Sequence, residues 1–212
     1  MNIKSKLLYT GNELLQKQLT WGNSGNISAR NNKDNMIITA SGTNMGQLSK
    51  DDFAFVHIET QEWEGVKKPS KEIPMHRAIY MNRPDANVII HASPFWSTLL
   101  ACSEQTIASK LFIESMYYLE KIEEVAYFHP GSEALGEEVG KAAKAANVLL
   151  LKNHGVIVFD ESVEEAAMRL ETLEFTSQMM VTAKASGIGL SLLADEVVED
   201  FLENSGYKKR GK

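Results

Sequence analysis

Val148-Leu149-Leu150-Leu151-Lys152-Asn153-His154-Gly155-Val156-Ile157-Val158-Phe159 is the stretch that decides the fold class. Two apolar runs, Val148–Leu151 and Val156–Phe159, flank the polar turn Asn153-His154-Gly155. Such short, continuous apolar runs bounded by turn residues read as strands buried on both faces. Working outward, Val163 to Ser186 carries Leu170, Leu173 and Met180 as a long helix, and Ala194 to Asn204 forms a last one. Upstream, Glu133 to Ala146 is alanine-rich and helical, and Val88-Ile89-Ile90 is another buried-type strand. A helix with Pro74 in its first turn runs to about Arg83, where Arg83-Pro84-Asp85 stops it. A second helix covers about Ser97 to Cys102. Met36–Thr39 and Phe53–Ile58 read as strands separated by a turn-rich stretch with Ser41-Gly42 and Gly46. Ile3, Leu7, Leu8, Leu14, Leu15 and Leu19 recur at helical spacing. The alternation predicts an α/β domain, a sheet covered by helices on both faces.

Composition bounds the function. A chain of 212 residues suits one domain spanning 1–212 and can bury a sizeable core. Its 43% apolar and 24% charged residues are ordinary soluble usage. No apolar run approaches the roughly 18 residues of a membrane span, and Met1 to Gln16 lacks the pattern of a secretory signal. Cys102 is the only cysteine, which suits a reducing compartment. A cytoplasmic location without membrane attachment is expected. The net charge of −6 argues against nucleic-acid binding, and Lys208-Lys209-Arg210 is too short to reverse it and reads as a solvated tail.

Three loops carry chemistry beyond simple connection. Gly22-Asn23-Ser24-Gly25-Asn26-Ile27-Ser28 has two glycines and polar side chains, a pattern that lets backbone N–H groups converge on an anion. Ile38-Thr39-Ala40-Ser41-Gly42-Thr43 follows a strand and offers hydroxyls and free backbone. Pro69-Ser70-Lys71-Glu72 precedes a helix whose N-terminal N–H groups favour a phosphate. Among the five histidines, His91 ends an apolar strand and His154 lies between two strands, where pockets form. His57 lies in a sheet-like pattern and reads as structural, and His76 and His129 are weaker ligand candidates.

In order along nearly the whole chain, these segments resemble the class II aldolase and adducin-head family. The resemblance rests on Ser24 to Arg30, Ile38 to Gly42, Pro69-Ser70-Lys71-Glu72-Ile73-Pro74-Met75-His76, Val88 to Ala101, Pro130-Gly131-Ser132-Glu133 and Leu150 to Val156. It implies a three-layer α/β/α sandwich around a mixed sheet. It also implies a homotetramer with sites at subunit interfaces and a metal-dependent aldolase acting on a small phosphorylated ketose through an enediolate. Epimerase, dehydratase and decarboxylase variants share that scaffold, and so do adducin-like modules without metal. By this resemblance His91 and His154 hold a divalent metal, Zn2+ first and Mn2+ or Co2+ as alternatives. Glu72 moves the proton at the enediolate carbon. Ser41, Gly42, Ser70, Lys71 and the backbone at Gly25 and Asn26 hold the phosphate. Tyr117 or Tyr118, together with Tyr207 from a neighbouring subunit, are the candidate proton donors on the aldehyde side.

One motif departs from the family pattern. Relatives carry His-X-His after the apolar strand, whereas this chain has His91-Ala92-Ser93. Alternation places residues 91 and 93 on one face of the strand, and a hydroxyl is a poorer zinc ligand than an imidazole. The resemblance therefore implies a weaker site, completed by Glu72 or water.

Overall fold

Eight strands form one sheet in the computed structural model, which describes residues 2–207. The Lys208-Lys209-Arg210 end lies outside the described residues. The strands are β1 (Asn26–Arg30), β2 (Asn35–Thr39), β3 (Phe53–His57), β4 (Trp63–Gly65), β5 (Val88–Ala92), β6 (Ile122–Val125), β7 (Val148–Leu151) and β8 (Gly155–Asp160). The helices are α1 (Ile3–Gln16), α2 (Ile73–Asn82), α3 (Phe95–Ala101), α4 (Ile113–Tyr118), α5 (Glu133–Ala142), α6 (Val163–Ser186) and α7 (Asp195–Asn204). Across the sheet the order is β4-β3-β2-β1-β5-β8-β7-β6. Only the β6–β7 pair is parallel, so the sheet is mixed.

Strand periodicity sorts the core into two layers. Ile27, Ala29, Ile90, Val148, Leu150, Val156 and Val158 pack against Leu7 and Leu14 of α1 and Leu170 and Leu173 of α6. The intervening Ile89, Leu149, Leu151, Ile157 and Phe159 face Met75 and Ile79 of α2 and Leu135 and Val139 of α5. This is the expected α/β/α arrangement, in which the central strands have no polar face to present to water. The long helix α6 starts where the Ser162 hydroxyl accepts from the Glu165 N–H and ends at Gly187, in the left-handed region at φ 71°. Small residues let α2 and α5 pack closely. A Cβ on Gly136 would lie 2.9 Å from the Pro74 carbonyl oxygen, so α5 is seated against the first turn of α2.

The stretch read as a loop through Ser28 is a loop only as far as Gly25. Residues Asn26–Arg30 form β1, paired with both β2 and β5. The polar residues at every second position hid this strand, because they face buried polar partners rather than solvent. β4, α4 and β6 also went unread in the sequence. β4 is a three-residue exposed edge strand, and the outward half of β6 is Glu123-Glu124. Neither carries a buried-strand signal. No helix among the described residues is long and apolar enough to cross a membrane.

Candidate metal centre

The site lies at one end of the sheet, where β1 begins, β5 ends and the β7–β8 connection turns. Asn26 is paired with His91 across β1 and β5, so their side chains share a face. Gly25 makes that pairing possible. It holds φ 81°, and a Cβ there would stand 2.5 Å from the His91 carbonyl oxygen. Lys152-Asn153-His154 joins β7 to β8, with Asn153 in the left-handed region at φ 56°. Glu72 enters from a separate segment at the cap position of α2, where its N–H donates to the Ser70 hydroxyl at 3.2 Å.

These segments bring three potential ligands together. Glu72 Oε2 lies 3.2 Å from His91 Nε2, and Glu72 Oε1 lies 3.2 Å from His154 Nε2. One ligand atom from each residue falls within 4.8 Å of the others. The two imidazoles stand edge to face, with centroids 4.8 Å apart. His91 Nδ1–H donates to the Val156 carbonyl at 3.0 Å, which leaves the Nε2 lone pair aimed at Glu72.

The donor set fits a divalent cation. Burial holds the His91 imidazole below its ordinary range, against the opposing pull of Glu72, so His91 is neutral at neutral pH. Burial by itself pushes the Glu72 carboxyl up, but the His91 and His154 imidazoles and the Asn26 amide outweigh it and carry Glu72 down to about 2. The Glu72 carboxylate thus faces two imidazole nitrogens at close range, a set of oxygen and nitrogen donors that suits a divalent cation between them. Glu72 Oε1 is moreover buried without a hydrogen bond, the His154 Nε2 at 3.2 Å being its near neighbour, an exception that a ligand between them would resolve.

The residues expected to hold phosphate come from converging segments. Ser70 N–H donates to the Thr39 carbonyl at 3.0 Å, Ser41 N–H to the Lys68 carbonyl at 2.9 Å, and Ile27 N–H to the Thr39 hydroxyl at 3.2 Å. Ser41, Gly42 and Lys71 are exposed, whereas Ser70 is buried beneath Glu72. The Asn26 side chain has a different engagement. Its amide donates to Glu72 Oε2 at 2.7 Å, and its carbonyl meets His76 Nε2 at 2.5 Å. Ser93 lies beside the ligands, with its hydroxyl donating to the His154 carbonyl at 3.4 Å. The tyrosines lie elsewhere in the chain. Tyr117 and Tyr118 end α4, which leads into the end of β6 paired with Val148, whereas His154 follows Leu151 at the other end of β7. The Tyr207 ring packs on Tyr117, with centroids 5.2 Å apart.

His76, a weaker ligand candidate by sequence, is not among the three clustered donors. It is fully buried and joins Asn26 to the Ser28 hydroxyl at 2.7 Å, which in turn meets the Tyr80 hydroxyl at 2.9 Å. The signal was present as two periodicities, residues 26, 28 and 30 on a strand and 72, 76 and 80 on a helix, and only contact between them gives it meaning. His57 accepts from the Glu59 and Thr60 N–H groups in a surface turn, and His129 lies beside Tyr127.

The model of the Class II Aldolase and Adducin N-terminal domain matches residues 5–181. The 3-oxo-tetronate 4-phosphate decarboxylase of Haemophilus influenzae is 31% identical over 208 residues, 96% of this chain and 97% of that protein. The L-fuculose phosphate aldolase of Methanocaldococcus jannaschii is 32% identical over 171 residues, 81% of this chain and 91% of the relative. Among solved structures, an L-fuculose 1-phosphate aldolase superposes with a TM-score of 0.83 at 28% identity, covering 93% of this chain and 92% of that one.

The buried histidine gives the metal-free protein a pH signature. Burial, with a smaller contribution from His91, lowers His76 from 6.5 to about 3. Its folded value is below its unfolded one, so its contribution is intact above about pH 6.5 and is lost as pH falls toward about 3. Urea unfolding across that window should show stability falling by up to about 1.4 kcal/mol per pH unit from this group. His76→Gln should flatten the slope by that amount, and an unchanged slope would mean that His76 is not held neutral.

Proposed function

The chain belongs to the class II aldolase and adducin family, and on that premise we propose that it is a divalent-metal-dependent lyase acting on a small phosphorylated sugar or sugar acid. The observation that carries the reading is the Glu72–His91–His154 donor set, one carboxylate and two imidazoles with ligand atoms within 4.8 Å of one another and a buried Oε1 that no hydrogen bond satisfies. Glu72, His91 and His154 would hold the cation, which would supply Lewis acidity for the charge that develops when the C–C bond beside the substrate carbonyl breaks. Zinc suits two imidazoles and a carboxylate, as do manganese and cobalt.

The chain's own residues supply the rest. Glu72 is the acid–base group at the ligands and carries the proton to or from the enediolate carbon. The Asn26 amide fixes one of its oxygens, so the proton travels on Oε1. Ser41, Gly42, Ser70 and Lys71, with the backbone near Gly25, hold the phosphate and so orient the bond to be broken.

Two departing groups lead to the same kind of enediolate. Cleavage of a ketose phosphate releases an aldehyde and needs a further base for its hydroxyl proton. Loss of carbon dioxide from a phosphorylated 3-oxo sugar acid needs only Glu72, to protonate the carbon afterwards. The near-complete overlap with a decarboxylase of a 3-oxo sugar acid phosphate favours the second form. In the first form the further base is Tyr117, Tyr118 or Tyr207 of a neighbouring subunit, which requires a tetramer with shared sites. Light scattering that finds a monomer at micromolar concentration would exclude that form.

Titration with zinc should give one site per chain in the parent and none in His154→Ala. Ser93→His should tighten binding, because residue 93 already lies beside His154. The loaded protein should release carbon dioxide from 3-oxo-tetronate 4-phosphate or aldehyde from a ketose 1-phosphate. A parent that binds no zinc, or a loaded protein inert toward both substrates, overturns the reading.

The phosphate loops have their own test. Ser41 is exposed and does not touch Glu72, so Ser41→Ala separates phosphate binding from the acid–base group, which Ser70→Ala does not. Losing a hydrogen bond to a dianion should weaken a phosphorylated ligand by roughly tenfold or more, with no change for its unphosphorylated counterpart. Equal losses for both would remove Ser41 from the phosphate site.

A further inference from the structure

A line of buried hydrogen bonds runs behind the metal ligands, and its proton directions are fixed by the group at one end. At that end the Asn26 NH2 donates to Glu72 Oε2 at 2.7 Å, with the carboxylate oxygen accepting. The Asn26 carbonyl oxygen then faces His76 Nε2 at 2.5 Å and requires a proton there. His76 is buried and neutral, so its Nδ1 is bare and accepts from the Ser28 hydroxyl at 2.7 Å. Ser28 has then used its proton and accepts from the Tyr80 hydroxyl at 2.9 Å. Every group has one permitted orientation, and the chain reads Tyr80 to Ser28 to His76 to Asn26 to Glu72.

We propose that His76, Ser28 and Tyr80 are positioning residues that lock the Asn26 amide with its NH2 toward Glu72 and thereby hold the carboxylate in its metal-binding orientation. An asparagine amide is nearly symmetric in shape, and burial alone does not decide which end faces the carboxylate. The wrong orientation places an oxygen against Oε2 and expels the carboxylate from the ligand set. A histidine with a fixed tautomer excludes that orientation, because its Nε2–H demands the oxygen. Serine fixes the tautomer by donating to Nδ1, and the tyrosine keeps the serine proton turned toward the histidine. The other hydrogen-bonding ends of the chain are closed too. Tyr80 lies under the Arg30 guanidinium at 4.7 Å, and Arg30 also donates to the Tyr80 and Arg83 carbonyls at the far end of α2. Outer partners of metal ligands commonly set affinity by orienting the ligand.

The inference rests on the reading that Glu72, His91 and His154 hold a cation, and the experiment separates the two. Zinc affinity is measured by chelator competition in the parent, His76→Leu, His76→Gln and Ser28→Ala, with urea unfolding to establish that each is folded. In the parent, the 15N spectrum of His76 should show a protonated Nε2 and a bare Nδ1. His76→Leu should weaken zinc binding by roughly 10- to 100-fold. His76→Gln should restore most of the loss, because its amide N–H replaces the Nε2 donor, a rescue that a merely space-filling histidine does not predict. Should His76→Leu fail to fold, Ser28→Ala serves in its place, with weaker binding and a mixture of the two tautomers. Undiminished affinity in a folded His76→Leu or Ser28→Ala overturns the proposal, and so does a parent His76 protonated on Nδ1. If the parent binds no zinc, the metal reading fails by itself. The tautomer and its change in Ser28→Ala then decide the positioning role.

Discussion

The match between one strand and one helix is the constraint on which the rest of the structure depends. Alternate residues of a strand advance about 6.7 Å, and every fourth residue of a helix advances about 6 Å on nearly the same face. β1 and α2 use that near-equality. Asn26 meets Glu72, Ser28 meets His76 and Tyr80, and Arg30 meets the last carbonyls of α2. A run of polar side chains is thereby buried in a layer otherwise filled by Ile79, Ile89 and Ile157. Burying polar groups is costly unless each finds a partner, and here each partner stands at the matching step. The register of α2 on the sheet follows, and so does the position of Glu72 at its start.

From that register the ligand set assembles out of distant backbone. β5 supplies His91 beside Asn26, the β7–β8 connection supplies His154, and α2 supplies Glu72. None of the three is mobile in the way an exposed side chain is, since their side chains are only 3%, 15% and 12% exposed. Two imidazoles and one carboxylate enclose a small space with nitrogen and oxygen donors on three sides. Burial holds the His91 imidazole below its ordinary range.

Ser93 changes the balance without changing the architecture. Its hydroxyl turns to the His154 carbonyl, so the position a third imidazole would occupy instead braces the hairpin that carries the second. On the proposed reading Glu72 then completes the donor set. Orienting that carboxylate matters more in a site with two histidines than in one with three, and the buried line behind Asn26 meets that demand.

Much of the fold was legible in the sequence because apolar periodicity records burial directly. Val148–Leu151, Val156–Phe159 and the α6 pattern gave strands and a helix whose faces pack as expected. β1 was not legible, because periodicity reports only whether alternate residues are apolar. It cannot distinguish polar residues facing water from polar residues facing a buried histidine and carboxylate. The sequence likewise singled out Glu72, His91 and His154 by type and by their places at element ends, and the structure brings their side chains together. What only the tertiary structure decided is how they are held. Asn26 acts through its side chain, His76 belongs to the site from behind, and Tyr117 lies beyond the opposite end of β7. The physical reason is that hydrogen bonds between residues some fifty positions apart depend on the register of a helix on a sheet, and register is a property of packing rather than of any local run of residues.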